Sequence, residues 1–131
     1  MSDESDIDAM LAMKTWAVVG LGDNPQRAAY EVSAILIAHG HRVVPVHPLA
    51  KTVHGQKAYA HLAEIPFTVD VVDVFVNSSL AGTVADEAVA IGAKGVWFQL
   101  GVVDPSAYER VKNAGLLMVM DRCPAIEYGR L

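Results

Sequence analysis

Short runs of apolar residues alternate along this chain with segments in which apolar residues recur every three or four positions. Five nearly continuous runs lie at residues 16–19, 42–46, 71–76, 95–98 and 116–120. Runs of this length without polar alternation are typical of strands that are buried on both faces of a parallel sheet. The pattern therefore predicts five buried strands, separated in most cases by a helix.

Three segments between these runs have an apolar face at helical spacing, and each of them ends at a glycine. They lie around residues 30–37, 80–91 and 104–114. Asp104 and Pro105 are an N-cap residue and a first-turn proline, as expected at the start of the third helix. A short leading helix is expected at residues 5–13, and one further candidate helix, at 58–63, lies in a weakly patterned segment.

Strands that alternate with helices are joined by right-handed crossovers, which make neighbouring strands parallel. We therefore expect an α/β fold, a doubly wound five-stranded parallel sheet with helices on both faces. The ligand of such a sheet lies at the carboxyl ends of the strands, at the point where the strand order reverses. Residues 1–131 are expected to form a single domain, with residues 1–13 as its leading helix or a disordered start.

Composition and charge exclude several classes of protein. Apolar residues make up 53% of the chain and charged residues 19%, and the net charge is −5. This balance suits a compact soluble domain and disfavours a nucleic-acid binder, which needs a basic surface. The acidic N-terminus and the short apolar runs predict neither a signal peptide nor a membrane span. The single cysteine, Cys123, cannot form an internal disulfide. This is consistent with a reducing cytoplasm. We expect a cytoplasmic protein that is a monomer or a homodimer.

The connection between the first strand and the first helix has the composition of a phosphate site. Gly20 and Gly22 follow the strand, and bare backbone N–H groups beside a helix N-terminus hold phosphate well. The dinucleotide fingerprint has a third glycine where this chain has Pro25. Arg27 follows, and a cation is unfavourable at a helix N-terminus unless an anion lies nearby. A tight turn with a solvated arginine is the alternative interpretation.

The end of the second strand distinguishes between cofactors. An NAD site usually has Asp or Glu there to bind the ribose hydroxyls, and this chain has none. His47, Lys51 and His54 lie in or just after the strand, and they suit a phosphorylated ribose, as in NADP or coenzyme A. A solvated loop is again the alternative. Gln99 follows the fourth strand, where its amide either points at the pocket or only caps the strand.

Several motifs together resemble the CoA-binding domain family of small stand-alone proteins. They lie at residues 20–27 (G-L-G-D-N-P-Q-R), 43–48 (V-V-P-V-H-P), 55, 70–75, 95–102 and 119–127. The resemblance covers the chain from about residue 8 to residue 131. It extends to the CoA-binding domains of succinyl-CoA synthetase alpha subunits and acyl-CoA synthetases. It implies a Rossmann-like fold whose small-molecule ligand is coenzyme A or acyl-CoA.

The resemblance also implies roles for particular residues. Residues facing the pyrophosphate would be Gly20, Leu21, Gly22, Asn24, Pro25 and Arg27. Residues of the loop around the phosphorylated adenosine would be His47, Pro48, Lys51 and Gly55, with Phe75, Val76 and Asn77 flanking the adenine and ribose. The family commonly has Ser at position 22 and Asn at position 47, so this chain departs from it twice. Both departures bear on affinity rather than on the fold.

No catalytic centre or metal site is expected from the sequence. The five histidines have no tight ligand spacing with Cys123, and no nucleophile motif or lysine P-loop is present. The sequence therefore favours a CoA-binding module without a reaction of its own. The alternatives are a small NAD(P)-dependent oxidoreductase or a nucleotide-binding regulatory module on the same scaffold, and an interaction domain with a vestigial pocket.

Overall fold

A five-stranded parallel sheet lies at the centre of the computed structural model, which describes residues 3–131. In chain order the strands are β1 (Thr15–Val19), β2 (Arg42–Val46), β3 (Thr52–Val53), β4 (Gln56–Lys57), β5 (Val71–Val74), β6 (Gly95–Phe98) and β7 (Leu117–Val119). The helices are α1 (Asp3–Leu11), α2 (Ala28–Ala38), α3 (Ser78–Ala90), α4 (Pro105–Asn113) and α5 (Pro124–Arg130), with a single 3-10 turn at Leu62–Glu64.

The main sheet has the order β2-β1-β5-β6-β7 with every pair parallel, and β3 and β4 form a separate antiparallel hairpin. The chain moves outward from β1 to β2 and then returns past β1 to β5. The strand order therefore reverses between β1 and β5, which is the switch point of a doubly wound sheet. The predicted α/β fold class is confirmed.

Alternation along the strands divides the core into two clusters. Trp16 and Val18 of β1 pack against the cluster formed with α1 and α2, whereas Ala17 faces the cluster formed with α3 and α4. The rings of Trp16 and Trp97 lie 5.6 Å apart on the α1–α2 face, and both side chains are fully buried. Each indole N–H donates to a backbone carbonyl, so burial leaves neither donor unpaired. Helices therefore cover both faces of the sheet.

Segment 58–63 does not form the helix expected from the sequence. Tyr59 instead pairs with the edge strand β2: its N–H donates to the Pro45 carbonyl at 3.0 Å, and its carbonyl accepts from His47 N at 2.9 Å. Unpaired backbone groups on an edge strand need partners, and this requirement overrides the local helical spacing. Only Leu62–Glu64 form a 3-10 turn.

The two ends of the described chain pack together. The expected leading helix corresponds to α1, while Met1 and Ser2 lie outside the described residues. Helix α5 was not expected from the sequence. Its Tyr128 hydroxyl donates to the Leu11 carbonyl at 3.1 Å and hydrogen-bonds the His41 ring. No helix among residues 3–131 is long and apolar enough to cross a membrane.

Asp73 in the central strand β5 is fully buried, and neither of its carboxyl oxygens has a hydrogen-bond partner among the described residues. Burial disfavours the charged form and raises the pKa of Asp73 well above its ordinary value. The folded state therefore holds a proton that the unfolded chain releases at a lower pH. The stabilising contribution of this group is greatest in acid and is lost as the pH rises towards the folded pKa.

Asp73→Asn removes this titration, so we expect the mutant to gain stability relative to the wild type as the pH rises from 5 to 7. The gain approaches about 1.4 kcal/mol per pH unit while the pH lies between the unfolded and folded pKa values. Urea unfolding at pH 5, 6 and 7 measures it. Glu109→Gln, which removes an exposed carboxylate, is the control. A stability difference between Asp73→Asn and wild type that does not vary with pH would contradict the prediction.

Candidate functional site

The switch point is built around a close approach between Gly20 and Phe75. The chain turns at Gly20 with a φ of +98°, and a Cβ added there would lie 3.2 Å from both the Cβ and the carbonyl oxygen of Phe75. Both the positive φ and the lack of space therefore require glycine at this position. The Gly20 N–H donates to the Val46 carbonyl at 2.9 Å, which ties the turn to the end of β2. The carboxyl ends of three neighbouring strands thus meet around one glycine.

The N-terminus of α2 opens onto this point without a side-chain cap. Arg27 occupies the N-cap position in an extended conformation, and among the described residues no side chain caps the helix there. Asn24 is engaged in the preceding turn, because its Oδ1 accepts from Gln26 N at 3.0 Å. The first N–H groups of α2, at Ala28 and Ala29, are among those that an α-helix leaves without an intrahelical partner. The helix end therefore offers donors and positive potential to a ligand.

Two adjoining cavities lie at the carboxyl edge of the sheet, and Gly20, Arg27 and His47 line both of them. The larger has a volume of about 550 Å³ and is lined by Gly20, Gly22, Asp23, Asn24, Arg27, His47, Leu49, Ala50, Lys51 and Thr52. The smaller has a volume of about 350 Å³ and is lined by Gly20, Arg27, Ala28, Ala29, His47, Pro48, Phe75 and Val76. The three shared residues therefore form the junction of a continuous cleft.

The charges in the cleft favour an anion at one end. Arg27 and Lys51 place two cations on the wall of the larger cavity, and the Asp23 carboxylate is the one acid among its lining residues. The smaller cavity presents Phe75 and Val76, which are half-buried and apolar. The cleft thus has a compartment with two cations beside one with an apolar wall, an arrangement that suits a ligand with both phosphate and ring groups.

His47 is fixed by its own loop. Its Nδ1 accepts from Leu49 N at 3.1 Å and from Ala50 N at 3.2 Å. Since Nδ1 accepts twice, the proton of the neutral ring must be on Nε2. The loop therefore fixes both the orientation of the ring and its tautomer.

The hairpin of β3 and β4 is fastened to α2 by His54. This residue has a φ of +52°, and its Nε2 lies 2.9 Å from Ser33 Oγ and 3.1 Å from the Tyr30 carbonyl oxygen. Its ring lies against that of Tyr30, with the centroids 4.0 Å apart and the ring planes tilted by 37°. Lys51 directly precedes β3 and Thr52 begins it, so the contacts of His54 help to fix the hairpin that carries both residues beside the cavity.

The residues singled out from the sequence occupy two kinds of position. The cleft is lined by Gly20, Gly22, Asn24, Arg27, His47, Pro48, Lys51, Phe75 and Val76. Five others line neither cavity: Leu21, Pro25, Gly55, Asn77 and Gln99.

Each of these five has a different setting. Leu21 is fully buried in the core and Pro25 is exposed. Gly55 turns the exposed tip of the hairpin with a φ of +74°. Asn77 caps α3, with its Oδ1 accepting from the Ser79 backbone and hydroxyl at 2.9 Å. Gln99 is 7% exposed, and its Oε1 has no partner among the described residues.

Sequence reasoning did not single out several lining residues. Asp23 and Thr52 are direct neighbours of predicted residues, so their proximity along the chain was the available signal. Ala28 and Ala29 line the cleft because they begin α2, and alanine itself carries no chemical signal. No group of three or more His, Cys, Asp or Glu side chains suited to a metal ion lies within residues 3–131.

Comparison with known proteins places this chain in a family. Residues 14–129 match the profile of a family described as CoA binding domain. The protein YneT of Bacillus subtilis (strain 168) is 37% identical over 110 residues, which are 84% of this chain and 82% of YneT. A solved structure of a hypothetical protein from Pyrococcus horikoshii OT3 is 36% identical, with a TM-score of 0.93 over 100% of this chain and 92% of that one.

A larger enzyme shares the fold over part of its length. The dinucleotide-forming acetyl-coenzyme A synthetase 1 of Ca. Korarchaeum cryptofilum is 20% identical, with a TM-score of 0.75 over 88% of this chain and 28% of the enzyme. At that identity the similarity concerns the fold alone. The match over residues 14–129 confirms the resemblance noted from the motifs: the chain belongs to the CoA binding domain family.

Proposed function

We propose that this protein binds coenzyme A, free or acylated, in the cleft at the switch point. Membership of the CoA binding domain family supports coenzyme A as the ligand in general. One observation carries the proposal for this cleft: at the Gly20 turn, the uncapped N-terminus of α2 opens onto two adjoining cavities. Arg27 lines both cavities, and Lys51 lines the larger one. Backbone N–H groups, a guanidinium and an ammonium are the donors that a diphosphate and a phosphomonoester require.

The diphosphate of the ligand would lie at the junction. Gly20 supplies a backbone surface without a Cβ there, and Arg27 lines both cavities. An anion beside Arg27 also removes the unfavourable interaction between this cation and the helix dipole. Coenzyme A and other dinucleotide-like ligands would use these diphosphate contacts alike.

The 3′-phosphate distinguishes coenzyme A from most other ligands, and Lys51 is the residue proposed to bind it. Lys51 lines the larger cavity at the start of the hairpin, away from the Gly20 turn along the chain. Phe75 and Val76 give the smaller cavity an apolar wall that suits the adenine ring. Asn77 and Gln99 are left out of the proposed site, because Asn77 caps α3 and Gln99 is buried away from both cavities.

Calorimetric titration with CoA and with dephospho-CoA tests the role of Lys51. We expect the wild type to bind CoA about tenfold more tightly, since one charge-assisted hydrogen bond contributes roughly 1.5 kcal/mol. Lys51→Ala should abolish this preference and leave the affinity for dephospho-CoA unchanged.

Lys57→Ala is the matched control, because Lys57 is in β4 of the same hairpin and lines neither cavity. It removes the same charge, so any general electrostatic effect appears in both variants. Equal affinities of the wild type for CoA and dephospho-CoA would contradict the assignment of Lys51. Binding of NADP in preference to both ligands would replace coenzyme A with NADP in the proposal.

His54 is proposed to act as a positioning residue for Lys51. His54→Asn keeps a residue type that tolerates the positive φ and removes the contacts with Ser33 and Tyr30. We expect the preference for CoA over dephospho-CoA to fall severalfold, while the affinity for dephospho-CoA changes little. His61→Ala, an exposed histidine outside the cleft, is the control. An unchanged preference in His54→Asn would show that the hairpin does not position Lys51.

A further inference from the structure

The absence of a side chain at Gly22 has a cause other than the backbone conformation. Gly20 turns with a positive φ, but the φ of Gly22 lies outside the left-handed region, so its backbone would accept an ordinary residue. A Cβ at Gly22 would instead lie 3.1 Å from Cδ2 and 3.2 Å from Nε2 of His47. Both separations are shorter than an ordinary van der Waals contact. The imidazole therefore crowds a side chain at position 22 and would have to shift by a few tenths of an ångström to admit one.

The His47 ring cannot easily move out of that space. Its Nδ1 accepts from the N–H groups of Leu49 and Ala50 at 3.1 Å and 3.2 Å, and Pro48 follows it directly. A proline restricts the backbone of the residue before it, which further limits the ring. A substitution at Gly22 would have to displace the ring and lengthen these hydrogen bonds.

The same geometry turns the Nε2 atom of His47 towards the turn at residues 20–22. With Nδ1 accepting, Nε2 carries the proton of the neutral ring, and no described residue accepts it. Nε2 lies beside Gly22, and His47 lines both cavities at the junction. A fixed N–H donor therefore stands within the cleft, on the side of the Gly22 turn.

We propose that Gly22 and His47 form a matched pair, in which the missing side chain at Gly22 lets the His47 imidazole stand against the turn and donate from Nε2 to the diphosphate of the ligand. The inference rests on the proposed function and assigns His47 to the diphosphate rather than to the phosphorylated adenosine. Two consequences follow. The contribution of His47 is the same for CoA and for dephospho-CoA, and substitutions at the two positions are not independent.

A double-mutant cycle with CoA and dephospho-CoA tests the pair. The substitution His47→Asn keeps an acceptor for the two loop N–H groups, because the amide oxygen replaces Nδ1. Its amide nitrogen takes the place of Cδ2, so the side chain has no donor at the position of Nε2. We expect His47→Asn to weaken both ligands by about fivefold, as for the loss of one neutral hydrogen bond. Gly22→Ser alone weakens both by a similar factor, and the double variant binds no more weakly than His47→Asn.

Loss of affinity for CoA alone in His47→Asn would overturn the assignment to the diphosphate. Effects of Gly22→Ser and His47→Asn that multiply in the double variant would overturn the pairing. If the wild type binds neither CoA nor dephospho-CoA, the proposed function fails and the donor role of His47 fails with it.

Thermal unfolding in the absence of ligand measures the steric contact between position 22 and the His47 ring separately from ligand binding. Gly22→Ser should lower the melting temperature by about 3 °C when His47 is present and by less in the His47→Asn background, which lacks the ring atoms Nε2 and Cε1. Gly129→Ser is the control, because an added Cβ at Gly129 meets no atom within 4 Å. Equal losses in the two backgrounds would show that the ring does not compete with a side chain at position 22.

Discussion

Where β1 ends, the backbone of Gly20 passes Phe75 so closely that a Cβ would lie 3.2 Å from it. This approach lies where the paired strands β1 and β5 end, at the reversal of strand order, and the site depends on it. After this turn the chain leads into α2, so the helix begins beside the crevice and its N-terminal N–H groups face the cleft. A larger residue at this position would have to adopt a positive φ and push Phe75 away by a few tenths of an ångström.

A second constraint is the need of the edge strand β2 for partners. Tyr59 pairs with it, and the N–H of the preceding Ala58 donates to the Lys51 carbonyl at 2.9 Å, which ties the segment after β4 to the loop after β2. His54 then fastens the hairpin to α2, and His47 is fixed by two N–H groups of the loop. The two histidines have different roles, because His54 faces the helix and His47 faces the cleft. Backbone satisfaction at a sheet edge thus positions the polar wall of the site.

The sequence predicted those features that depend on neighbours in the chain. Strands buried on both faces gave continuous apolar runs, and the Gly20 turn with Arg27 was recognisable because its chemistry lies within eight residues. Strands β3 and β4 have two residues each, too few for a pattern, and Tyr59 pairs with β2 only because that edge is free. Helix α5 had a usable signal in Pro124 at its first turn. The contact between Gly22 and His47 joins distant segments and required coordinates.

Backbone amide chemical shifts, recorded by NMR while CoA is titrated into the labelled protein, test the central claim most directly. Binding at the switch point predicts the largest saturable shifts at Gly20, at the first residues of α2 and at Lys51. Shifts confined to the distant cavity lined by His61 and Glu87 would contradict this account, and so would an unchanged spectrum at saturating CoA.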